Sequence, residues 1–175
     1  MLNFCFFKNT LLVVLLSIIL QSCNSNNAEA SIYKTKFNAI AKRGNSGAIL
    51  ELKENKADII NFFTGKSIEI DYDGWVVRLD SCEQILIRTL NELSTLEEFD
   101  SSFKLVELHS NHLNLSLSQL REIRNVFQCI RQDCPDKVAV SCSRKVGPLE
   151  EKRIAAKKLY REAEDRFMVK YSIKN

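Results

Sequence analysis

The sequence predicts an α+β fold that is mostly helical, with about three main helices, one β-hairpin and two disulfides. Three observations carry that expectation. Apolar residues recur at three- and four-residue steps over 81–99, 116–130 and 149–171; they alternate at period two on both sides of Asp73-Gly74; and four cysteines remain, Cys82 and Cys129 within the first two of those helices and Cys134 and Cys142 between the second and third. A chain of 175 residues suits one core. Its 25 Lys+Arg against 22 Asp+Glu, a net charge of +3, shows no basic stripe for nucleic acid and no acidic tail.

The first element is an address. Residues 1–10 (MLNFCFFKNT) carry only Lys8 as a charged side chain, and 11–20 (LLVVLLSIIL) is apolar apart from Ser17. Ten helical residues span about 15 Å, roughly half the hydrocarbon thickness of a bilayer, so the run suits a signal peptide better than a permanent span. Leu20, the last residue of that run, opens the tetrapeptide Leu20-Gln21-Ser22-Cys23. This tetrapeptide resembles the lipobox of bacterial lipoproteins, with an aliphatic residue three places before a cysteine and a small residue just before it. The resemblance covers residues 1–23. It implies cleavage after Ser22, a diacylglycerol on the Cys23 sulfur, acylation of the new amine, and attachment to a membrane through several chains. Asn24 stands where the inner-membrane retention signal known from enteric bacteria has Asp, so the implied location is the outer membrane, facing the periplasm. Residues 24–30 (NSNNAEA) are small and polar, and read as a tether reaching at most about 25 Å. The expected organisation is therefore a signal peptide (1–22), a lipidated tether (23–30) and a single globular domain (31–175).

Within that domain, 32–42 forms a small first element that ends at the Gly44–Gly47 break, and 57–64 (ADIINFFT) suits a short helix stopped by Gly65. Ile68, Ile70 and Tyr72 precede Asp73-Gly74, with Trp75, Val77 and Leu79 after it, which is a hairpin signal. From Ser81, a natural cap, Cys82, Ile85, Leu86, Thr89, Leu90, Leu93 and Leu96 trace a helix. Residues 100–115 have no clear period. Leu117, Leu120, Ile123, Arg124, Phe127 and Ile130 trace a second helix that must end before Pro135. The third starts at Gly147-Pro148 and places Ala156, Tyr160, Ala163, Phe167 and Tyr171 on one stripe.

Few residues invite chemistry. An even set of cysteines in an exported domain favours bridges; antiparallel central helices would join Cys82 to Cys129 and leave Cys134 for Cys142, while the alternative pairs Cys129 with Cys134 and Cys82 with Cys142. The four lack the CxxC spacing of a zinc site. His109 and His112 have no spaced carboxylate to complete a metal site and read as a polar loop before Leu113. Asp71, Asp73 and Gly74 open like a calcium loop, but Trp75-Val76-Val77 stands where further oxygen ligands are needed. Lys152, Arg153, Lys157, Lys158 and Arg161 alternate with glutamates as a solvated helix face. There is no GxSxG elbow and no phosphate-binding glycine loop. No catalytic residue, metal or cofactor is therefore expected.

The function expected is a non-enzymatic cell-envelope lipoprotein, held to the membrane through lipid on Cys23, that binds a protein partner. An inhibitor or immunity protein and an accessory subunit of an envelope or secretion assembly both fit; a small periplasmic hydrolase or metal-dependent enzyme is the alternative. Tyr72 and Trp75 flank the turn and read first as a packed cross-strand aromatic pair; if the hairpin instead presents a surface, Tyr72, Asp73 and Trp75 at its tip are the first choice of partner contact, because aromatic rings beside a turn present rigid area at low entropic cost.

Overall fold

The computed structural model describes residues 25–45, 72–132 and 136–173. Among the described residues there are four helices and no strand: α1 over 25–45, α2 (Tyr72–Ser94), α3 (Leu105–Arg131) and α4 (Asp136–Lys170). The signal peptide with Cys23, the expected helix at 57–64 and the first arm of the expected hairpin lie outside the described residues. Among the described residues the class is therefore all-α in place of the expected α+β.

Residues 72–80, expected as the end of the first strand, the turn and the second strand, are instead the opening turns of α2. Trp75 and Leu79 are four apart, a step common to one strand face and one helix face, so they satisfy both patterns. They continue into Cys82, Leu86, Thr89 and Leu93 by alternating steps of three and four, and all six are buried. Val77 decides between the patterns. A strand would set it beside Trp75 and Leu79, yet it is 64% exposed.

α3 is central and carries two seams. Leu113, Leu117, Leu120, Arg124 and Phe127 turn toward α2, where Trp75 stacks on Phe127 with ring centroids 5.1 Å apart. At the rim of that interface Arg124 pairs with Asp80 and Glu83, Arg121 Nε donates to Glu83 Oε1 at 2.8 Å, and Arg131 meets Asp73 at 3.2 Å. Later residues of α3 meet earlier residues of α2, so the two are antiparallel.

That register overturns the disulfide expectation. Because α2 starts at Tyr72 and not at Ser81, Cys82 lies opposite the Arg121–Arg124 turn, while Cys129 lies opposite the first turn of α2. The offset is roughly seven residues, about 10 Å of helix rise, and a bridge needs its Cα atoms within about 7 Å. Cys82 and Cys129 are both buried, and no two cysteines stand at disulfide distance among the described residues. Cys134 and the side chain of Cys142, the other expected bridge, lie outside the described residues.

The second seam of α3 (Leu105, His109, His112, Ser116, Gln119, Ile123, Val126) is buried toward α4 and α1. α4 begins well before Gly147-Pro148 and takes Pro148 into its interior, where the ring removes one backbone donor. Its stripe of Ala156, Tyr160, Ala163 and Phe167 is buried. α1 takes in residues 25–30 of the expected tether, with Ala30 fully buried, and continues through Gly44. A Cβ at Gly44 would come within 2.7 Å of Thr89 Cγ2, so glycine here allows a close approach of α1 to α2, and the rest of the expected Gly44–Gly47 break lies outside the described residues. Tyr33 and Lys34 of α1 meet Phe167 and Glu164 of α4, and Phe37 meets Tyr160, giving an up-down-up-down bundle.

The α2–α3 connection is fastened by two carboxylates. Glu98 Oε1 accepts from the Val106 and Glu107 amides at 2.7 and 3.2 Å, satisfying donors at the open end of α3. Asp100 accepts from Lys170 Nζ at 2.6 Å, Tyr171 Oη at 2.8 Å and Ser102 Oγ at 2.6 Å, which ties the loop to the end of α4. The Lys170 contact leads in holding the Asp100 carboxyl well below the usual carboxylate range.

Candidate functional site

The polar groups that sequence reasoning put in a loop are in the centre of the bundle. His109 and His112 lie one turn apart in α3, at 0% and 1% exposure. His109 stands edge-on to Phe37 at 5.7 Å and against Tyr160 at 4.6 Å between centroids. Neither of its ring nitrogens has a hydrogen-bond partner. His112 Nδ1 faces the Arg153 carbonyl at 3.3 Å, and its Nε2 has no partner. Burial, aided by His112, Arg161 and Lys34 against the pull of Glu164, lowers the His109 pKa to about 4. Burial also lowers His112 to about 4, with the Arg153 carbonyl opposing and the Arg153, Lys157 and Arg161 charges adding to it. Both imidazoles are neutral at pH 7.

Beside them lies a buried ion pair. Lys34 is 3% exposed; its Nζ donates to Glu164 Oε1 and to Asn38 Oδ1 at 2.5 Å. Tyr160 Oη donates to Glu164 Oε1 at 2.8 Å, and Arg161 Nη1 donates to Glu164 Oε2 at 3.3 Å. Burial works against the charged form of Glu164, but the hydrogen bonds from Lys34 and Tyr160 outweigh it and hold the carboxyl below its ordinary value. Tyr160 is pushed up by burial and by the Glu164 charge. Over this cluster an open groove of about 480 Å³ runs between α1 and α4, with Lys42, Asn45, Arg161 and Asp165 on its walls.

Lys34, Tyr160 and Glu164 are the functional candidates that sequence reasoning missed. A signal existed: Ala30, Lys34, Phe37 and Ala41 follow steps of four, three and four, which puts a lysine on an apolar seam. The residues expected to touch a partner are dispersed. Trp75 is 5% exposed and packed on Phe127, Asp73 is exposed and paired with Arg131, and the Tyr72 side chain is outside the described set. Without a turn at Asp73-Gly74 there is no tip to present them.

Chemically, the cluster offers a buried ammonium–carboxylate pair, with a phenol donating to the same carboxylate, beneath an open groove. Among the described residues no group of three or more His, Cys, Asp or Glu side chains is arranged to hold a metal ion, and no helix is long and apolar enough to cross a membrane. Comparison with protein families, curated proteins and solved structures finds no match to this chain.

Proposed function

We propose that this chain is a lipid-anchored protein of the bacterial cell envelope that acts by binding a protein partner, as an inhibitor or immunity protein or as a subunit of an envelope or secretion assembly. The observation that carries the reading is Leu20-Gln21-Ser22-Cys23 at the end of the apolar run 11–20, because a small residue and a cysteine at that distance are what lipid transfer and cleavage require. The partner half of the proposal moves from Trp75 to the α1–α4 groove. Lys42 and Arg161 with Asp165 line it and offer charges of both signs to a polar protein surface.

The test has two arms. Mass spectrometry of the membrane-extracted protein is expected to find a lipid-modified N-terminal peptide beginning at Cys23, and Cys23→Ser to leave the chain unprocessed or released. An unmodified mature chain starting elsewhere overturns the anchor. For the partner, a photo-cross-linker at Lys42 in the full chain is expected to give an adduct in cells that Asp165→Lys removes, whereas the same probe at Val77 gives none. The rival reading, a small hydrolase, has the groove over Lys34, Tyr160 and Glu164 in its favour. A turnover abolished by Glu164→Gln in a folded protein, without any adduct at Lys42, would establish it instead.

A further inference from the structure

The two buried histidines have no role in the function proposed above, and three of their four ring nitrogens have no hydrogen-bond partner. An apolar side chain would fill the same space without that desolvation cost, so the pair calls for an explanation of its own. We propose that His109 and His112 form an acid-sensitive latch on α1, and that protonation of the buried imidazoles releases α1 from α3 and α4.

The geometry supplies the coupling. His109 touches α1 through Phe37 and α4 through Tyr160. The charged or titratable groups acting on the pair are Lys34 from α1, each histidine on the other within α3, and Arg153, Lys157, Tyr160, Arg161 and Glu164 from α4. Four of these are cations, so a proton on either ring arrives in a cationic neighbourhood. The carboxylate that favours a charged His109 is Glu164, which already holds Lys34, Tyr160 and Arg161. An imidazolium at 109 therefore competes with Lys34 for Glu164, and Lys34–Glu164 is an ion pair joining α1 to α4. A protonated imidazole also has two N–H groups to satisfy, and the Arg153 carbonyl serves one nitrogen of His112 only.

The sign follows from linkage. Both pKa values fall from 6.5 to about 4 on folding, so the opened state binds more protons between those limits and closure weakens as pH falls through them. The Glu164 carboxyl, lowered from 4.5, gives way only below that value. A change confined to pH 6.5–5 thus belongs to the histidines.

Hydrogen exchange of the full chain in detergent, corrected for intrinsic rates, tests this. Amides in 25–45 are expected to lose about tenfold or more in protection between pH 7.5 and 5.0. The fluorescence of Trp75, the one tryptophan of the chain, stays constant because it reports the α2–α3 contact. His109→Leu with His112→Leu flattens the α1 response. Constant α1 protection to pH 5.0, simultaneous changes in α1 and Trp75, or an unaltered response in the double variant would each overturn the latch. Should the double variant fail to fold by circular dichroism, the wild-type comparison of α1 with Trp75 decides alone.

Discussion

Toward α2, the central helix presents Leu113, Leu117, Leu120 and Phe127 and keeps its charges at the rim, where Arg121 and Arg124 reach Glu83 and Asp80. Toward α4 and α1, the same helix presents His109, His112, Ser116 and Gln119 from inside, and the nearby Lys34–Glu164 pair is buried with them. Apolar contacts are non-directional, so the first seam is held by area and shape. Polar contacts are directional, and each buried donor or acceptor left alone carries a desolvation penalty, so the second seam is sensitive to register and to protons. Gln119 Nε2 meets Glu150 at 3.0 Å, and Glu150 in turn holds Arg153 through two hydrogen bonds of 2.8 and 3.0 Å, which sets the α3–α4 alignment. One helix thus joins a face built for stability to a face whose strength is conditional.

The largest effect should come from breaking the apolar face. Phe127→Ala removes a ring that is 1% exposed and the stack on Trp75, and is expected to cost about 4 kcal/mol. Chemical denaturation followed by circular dichroism measures it; a loss below about 1 kcal/mol would mean that the two helices do not depend on this stack.

On the polar face, Glu164→Ala leaves the Lys34 ammonium buried without its carboxylate and is expected to cost about 3 kcal/mol. Lys34→Met combined with Glu164→Leu should recover most of that loss, because the paired charges contribute alignment more than net stability. A double variant as unstable as the single one would contradict this view of the seam.

Acidification sharpens the contrast between faces. Each histidine falls from 6.5 to about 4 on folding, so stability present at pH 7 declines as pH drops from 6.5 toward 4, by about 2 kcal/mol per imidazole at pH 5. Denaturation midpoints at pH 7.5 and 5.0 should therefore differ, and His109→Leu should halve the difference. Equal midpoints would show that the pair is not protonated on opening.

The smallest effect belongs to the rim. For Glu83 burial opposes ionisation, but the hydrogen bonds from Arg121 and Arg124 prevail and lower its pKa. Arg121 is 55% exposed, so Arg121→Ala should cost no more than about 0.5 kcal/mol, and less in high salt. A loss rivalling that of Glu164→Ala would erase the difference between the two faces.

Much of the bundle was legible because apolar steps of three and four survive in 82–96, 117–130 and 156–167. The N-terminal half of α3 was not, since its seam residues at 109, 112, 116 and 119 are His, His, Ser and Gln, which read as solvent-facing to any hydropathy pattern. Lys34 and Glu164 were hidden for the same reason. A charged residue appears exposed until its partner, distant in the chain, is brought to it.

By itself the sequence determined the amphipathic periods of the later helices and the cysteine after its apolar run, because both are local patterns that need no neighbour to be read. Tertiary structure alone decided that Trp75 and Leu79 belong to a helix, that Cys82 and Cys129 are out of register, and that two histidines are core residues. In each case the local pattern allows two answers, and only packing selects one: the side chain at Val77 must find solvent, the ends of two antiparallel helices must align, and a neutral imidazole must find space among Phe37, Tyr160 and its own helix.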